Sequence, residues 1–222
     1  KDANAQLGIS KEYVEPPGWS VGMNLGLCDL WSDVGTKSPI DHYTNGNYWG
    51  NPHAMGGLFA RYSAHPAFAI RLGVNYGTLY ANDNWNKSKA EKATTIEADA
   101  YQRYMRNLSV RSRVWETNLI FEITPRRFSV ESLGARKRFQ PYVMLGVAAL
   151  HFKPQAKYID RSGNDRGYVD LHDLKVEGNG LSSNTYQDAP KNYSLWQLAV
   201  PMGLGVRWDI GRRLAIGIEY MY

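Results

Sequence analysis

Cysteine is nearly absent: Cys28 stands alone among 222 residues, so no internal disulfide is possible. Long apolar runs are missing too. The longest clean one, Val143–Leu150, is strand length and far short of the ~20 residues of a membrane helix. Metal-ligand spacing is missing: the five histidines, His42, His53, His65, His151 and His172, include no pair at i, i+4 on one helical face. Gly178-Asn179-Gly180 lies in no strand–helix context, which excludes a phosphate loop. There is no internal repeat and no low-complexity tract. These gaps exclude a disulfide scaffold and a helical membrane protein, and they leave no cofactor to expect.

Aromatics are plentiful, with 15 Tyr and 7 Trp. The net charge is +5, but it is scattered, which argues against nucleic acid as a partner. Mean hydropathy is −0.47. That value does not exclude a membrane β-barrel, because half of each strand faces inward and can be polar. Ala3-Asn4-Ala5 before Gln6 resembles a signal-peptidase box and supports export.

Leu195–Tyr222 organises the rest. Trp196, Leu198, Val200, Met202, Leu204, Val206, Trp208 and Ile210 alternate with small or polar residues. After Gly211–Arg213 the pattern resumes with Leu214, Ile216, Ile218, Tyr220 and Tyr222. A period of two is a strand with one apolar face. This is the grammar of a transmembrane barrel: apolar out, polar or small in, aromatics at the interfaces.

The same pattern predicts strands over Trp19–Leu27, Gly56–Ala64, Phe68–Tyr80, Leu108–Ile123 and Tyr142–Phe152, the last with both faces apolar or small. Cys28 reads as a small buried side chain at the end of the first. The segment between Lys87 and Met105 is helix-compatible. Connections alternate in length. His65-Pro66 and Gly211–Arg213 are short and Thr124–Gln140 is medium, whereas 31–53, 81–107 and 153–194 are long. Outer-membrane barrels keep short turns on the periplasmic side and long loops outside. Residues 1–18 read as a periplasmic lead-in and 19–222 as the barrel. The fold expected is an all-β, antiparallel up-and-down transmembrane barrel of about eight strands. Seven are visible, and a barrel of this kind needs an even number. Either a closing strand follows Tyr222, which is the preferred reading, or a strand hides in a stretch such as Gly167–Gly178.

The charged face carries Arg61, Arg71 and Arg207 with Glu116, Glu122, Asp209 and Glu219. A soluble lipocalin-like barrel would turn these to water. Glycine and alanine crowd the charged face, as a narrow lumen requires, and Trp and Tyr lie toward strand ends on the other face. The membrane barrel is therefore preferred, with the charges paired in a filled lumen and no open pore. A barrel hydrolase needs Ser, His and an acid at one rim, and Ser and Asp are so common in these loops that such a constellation could be assembled by chance. A second cluster, Arg126, Arg127, Arg136, Lys137 and Arg138, lies in one periplasmic connection, joined by Arg212 and Arg213 on the next. It reads as a docking surface for a periplasmic partner, against the plainer reading of solvated turns near anionic headgroups.

Several stretches carry a resemblance: Arg106-Asn107-Leu108-Ser109, Gln140-Pro141-Tyr142, Leu145-Gly146-Val147, His151 to Ala156, Val176 to Leu181, Ser194-Leu195 and Val200 to Val206. By their order, the chain from Trp19 to Tyr222 resembles the PorG-like outer-membrane β-barrel proteins of the type IX secretion system. The resemblance implies a non-enzymatic secretion component in the outer membrane of a Gram-negative bacterium. It implies partnership with the periplasmic ring of the PorK lipoprotein and PorN, and a chain that continues past Tyr222. It supplies no catalytic or contact residues. The alternatives are a small OmpA-like surface barrel binding ligands or host factors through its outer loops, and a barrel enzyme acting on lipid or peptide.

Overall fold

The computed structural model describes residues 17–38, 41–42, 53–125, 139–175, 191–210 and 214–222. Its strands are β1 (Gly18–Leu27), β2 (Ala54–His65), β3 (Phe68–Asn82), β4 (Ser109–Ile123), β5 (Phe139–Ile159), β6 (Asp165–Asp170), β7 (Trp196–Ala199), β8 (Met202–Asp209) and β9 (Ala215–Met221). Short helices α1 (Lys87–Ala90), α2 (Asp99–Arg106) and α3 (Leu171–Leu174) lie in the long connections, α1 following a 3-10 turn at Asp83–Asn86. All strands join one antiparallel sheet in the order β1-β2-β3-β4-β5-β8-β9, with β6 and β7 also paired to β5. The sheet curls into a half-barrel, as expected for a small up-and-down barrel fold.

The curl can be read from one bond. Arg71 on β3 and Glu219 on β9 are four strands apart, about 19 Å in a flat sheet. Their side chains nevertheless meet at 2.6 Å. The charged face must therefore be concave.

Burial follows the period of two. Along β3, Ala69, Arg71, Gly73 and Asn75 are buried on the concave face, while Phe68, Ile70, Leu72, Val74 and Tyr76 are exposed on the convex one. β4 repeats this with Asn118, Ile120 and Glu122 inside and Leu119, Phe121 and Ile123 outside. The phase of β5, which the sequence leaves open, is settled the same way. Tyr142, Met144 and Ala148 face in, and Val143, Leu145 and Val147 face out. A small cluster of Ile120, Tyr142 and Met144, with Met221 against it, fills the concave side.

Three local features differ from the sequence reading. The strand expected over Trp196–Ile210 is assigned as β7 and β8. The register against β5 is unbroken, however, with Ala148 facing Ala199 and Leu145 facing Met202. The interruption falls at Pro201, which accepts from the Gly146 N–H at 2.9 Å but has no N–H to return. Next, β5 runs seven residues past Phe152 and turns back into β6, so part of the expected third loop is sheet. The strand-like stretch looked for near Gly167 is this short β6, an extension of β5 and not an eighth stave. Finally, Cys28 is only half-buried, its Sγ donating to the Thr78 carbonyl at 3.2 Å. Burial pushes its thiol up to about 11, which disfavours the thiolate form that acts as a nucleophile.

Candidate functional site

The concave face holds the first candidate site. Arg61 donates from Nε to Glu122 Oε2 at 2.6 Å. Arg71 donates to both oxygens of Glu219, at 2.6 and 3.0 Å, and lies 3.6 Å from Glu122. Arg207 reaches Glu122 at 3.5 Å and donates to Gln140 Oε1 at 2.8 Å. Gln140 in turn donates to Asp209 at 2.8 Å. Six of the seven lumen charges read from the sequence thus share one network of three cations and three anions. Five strands supply them, Arg61 from β2, Arg71 from β3, Glu122 from β4, Arg207 and Asp209 from β8 and Glu219 from β9, and each projects one residue in two onto this face.

Glu116 sits apart. It is six residues from Glu122 on β4, about 20 Å along the strand. There it accepts from the amides of Asn75, at 2.7 Å, and Asn118, while Asn24 donates to Asn75 at 3.0 Å. Sequence reasoning also missed Tyr142 and Gln140. Tyr142 Oη donates to Glu219 Oε1 at 2.5 Å. Its ring lies over Gly205, where an added Cβ would stand 2.4 Å from the ring. The signal was a glycine directly opposite an aromatic in register. Among the described residues the charges of this face are ion-paired or hydrogen-bonded, Glu116 to neutral amides alone, and these contacts tie the strands together.

A second constellation lies at the end of β3 and β4 joined by the long 83–108 connection. Asp83, fully buried, accepts from the Gly35 N–H at 2.9 Å, Leu108 N–H at 3.1 Å and Arg106 at 2.8 and 3.1 Å. Arg106 also binds Asp33 through its side chain and carbonyl. These carboxylates raise the Arg106 guanidinium further above its ordinary value, the Asp83 hydrogen bond first. Asn86 and Arg103 donate to the Gly35 carbonyl. His42 Nδ1 faces Asp29 at 2.6 Å and its Nε2 faces the Thr36 carbonyl at 2.9 Å. The first long loop is thereby clamped onto the second around Trp85, Tyr80 and Val34. Among the described residues no group of His, Cys, Asp and Glu could hold a metal ion.

The convex face is the third element. Tyr76, Trp115, His151 and Trp196 are register partners in one line across β3, β4, β5 and β7. Tyr76 and Trp115 are 4.7 Å apart, His151 and Trp196 4.9 Å. Toward the other end lie Trp19 against Tyr62 at 5.0 Å and Phe139 against Trp208 at 6.0 Å. Between them the convex positions of β3 and β4 are Ile70, Leu72, Val74, Thr117, Leu119 and Phe121, with no charge.

The basic residues Arg126, Arg127, Arg136, Lys137, Arg138, Arg212 and Arg213 lie outside the described residues. No helix among the described residues is long and apolar enough to cross a membrane, which says nothing of strands. No protein family, curated protein or solved structure matches this chain.

Proposed function

We propose that this chain is a small outer-membrane β-barrel that serves a protein-secretion machine as a non-enzymatic anchor. The observation that carries the membrane half is the inverted sheet. Arg71 and Glu122 are buried at the centre of an ion-pair network on the concave face, while the exposed convex face is apolar and bounded by aromatics. Exposed apolar surface of this extent on a soluble chain would drive association. From Trp115 to Ile123 is about 27 Å along β4. At a tilt of ~40° that makes a band of roughly 21 Å, close to the ~25 Å of outer-membrane barrels.

The secretion half rests on the resemblance to PorG-like proteins, with the PorK/PorN ring as partner. The docking surface in this reading is the basic set Arg126, Arg127, Arg136, Lys137, Arg138, Arg212 and Arg213. Clustered cations speed encounter with an acidic partner and lose effect with salt. Single replacements should be mild, because exposed pairs are worth only ~0.2–1 kcal/mol. Reversing three or more to Glu should release the ring from the purified barrel while leaving the barrel inserted and heat-modifiable. Shortening the outer segment between α3 and β7 should leave the ring attached. The opposite pattern would move the function to the outer surface, as in a ligand-binding surface barrel.

A further inference from the structure

The convex face changes character in one step beyond the aromatic line. The next convex residue after Trp115 on β4 is Arg113, and after His151 on β5 it is Lys153; the register sets the two directly opposite. Beyond them, Arg111 faces Gln155, and Lys157 faces Tyr168 on β6. Among the described strand residues, every convex Arg and Lys lies at this end of the sheet.

Like charges directly opposite on paired strands repel, and only Lys153 of this pair has a carboxylate in direct contact, although the charge of that carboxylate, Asp170, also reaches Arg113. Asp170 takes Lys153 at 2.7 Å and Gln155 at 2.6 Å. Arg113 is exposed and forms no salt bridge among the described residues. Arg111 is held in place, its Nε donating to Gln155 at 2.7 Å and its guanidinium stacked 4.0 Å over Tyr168. Two guanidiniums and an ammonium thus stand about 7–14 Å beyond the aromatic line. An aromatic belt sits at headgroup level, so this is the height of lipid phosphates.

We propose that Arg113 and Lys153, flanked by Arg111, form a site for the phosphate of an anionic lipid headgroup. This rests on the reading of the convex band as lipid-facing. Arg113 supplies the planar fork that suits phosphate, and Lys153 a compact charge beside it. The site opens onto the face that carries Thr117, Leu119 and Val147, so the acyl chains of a bound lipid continue along the apolar band. That continuity selects a lipid over a free anion.

The test uses the whole chain in nanodiscs of equal parts phosphatidylcholine and phosphatidylglycerol, extracted gently and read for retained lipid by native mass spectrometry. Each headgroup-level cation contributes about a factor of five. The wild type should retain phosphatidylglycerol preferentially, and R113Q/K153Q should lose roughly twentyfold of that preference. Arg113→Gln alone touches no interior contact and should lose about fivefold, which covers a double variant that fails to fold. Lys157→Gln, whose charge is paired with Asp165 at 2.9 Å, should keep the preference. Unchanged retention in both Arg113 variants overturns the site. Displacement of the lipid by inorganic phosphate overturns its assignment to a lipid. Failure of the wild type to enter discs of any composition overturns the membrane reading itself.

Discussion

Three arginines converge on Glu122, a carboxylate that is 2% exposed. Buried ions are costly unless paired, and removing one partner leaves the others uncompensated. Glu122→Gln should therefore cost about 3–5 kcal/mol, read as a lowered urea midpoint of the folded barrel. Glu116→Gln should cost only about 1 kcal/mol, because Glu116 accepts from neutral amides and its replacement keeps the shape. Equal losses at the two sites would show that the three-arginine network has no special weight. Gly205 offers a steric counterpart. A methyl there meets the Tyr142 ring at 2.4 Å, and overpacking of this kind costs about 1–3 kcal/mol. Gly205→Ala should shift the same midpoint, and pairing it with Tyr142→Ala should relieve the clash.

At the scale of elements, the β5–β6 hairpin is held by polar contacts that pH can remove. Asp160 accepts from the Ser162 and Asn164 N–H groups, at 3.0 and 2.8 Å, and from Arg166 at 2.9 Å. The Asn164 hydrogen bond, first among these, holds its carboxyl below the ordinary 3.8. Asp165 is lowered by Lys157 and by the Gly167 N–H. A carboxyl depressed in the folded state contributes stability above its ordinary value and loses it as pH falls through the depressed one. Amides at Ser162, Asn164 and Gly167 should lose hydrogen-exchange protection as pH drops below 3.8, while the β3–β4 ladder stays protected. This hairpin is also where the sequence was least legible. Its turn, Asp160 to Asn164, is polar and glycine-containing, and Lys157-Tyr158-Ile159 alternates too briefly to stand out. The core of β5 was opaque for another reason: Tyr142, Met144 and Ala148 are as apolar inside as Val143, Leu145 and Val147 are outside. By contrast β3, β8 and the Trp115–Ile123 part of β4 were legible, because mostly polar or small residues mark one face and mostly apolar side chains the other.

For the whole molecule, the question is which face would meet lipid in the proposed membrane barrel. In the sequence, small residues on the charged face and aromatics near the strand ends point the apolar face outward, and the curvature agrees: only side chains on the concave face can meet across four strands, as Arg71 and Glu219 do. The convex face is left outside, with Leu198 88% and Ile218 84% exposed. If lipid covers it, Arg at Leu198, Val200, Leu204 or Ile218 should cost roughly 2–4 kcal/mol near the midplane and less toward either aromatic row. Arg at Gly203 should fail differently, since a Cβ there already stands 2.4 Å from the Tyr220 carbonyl oxygen. Lipid-phase labelling should reach cysteines placed at Leu198 and Ile218 but not at Ala199 or Gly217, and the reverse result would turn the sheet inside out. The same geometry bears on conduction. Three arginines, three carboxylates and Tyr142 bridge the concave face, so in a closed barrel an ion would have to separate bonded pairs to pass. Planar-bilayer recordings should therefore show little conductance in the wild type. A stable opening of porin size would mean that these bonds do not span the lumen, and the anchor reading would yield to a channel.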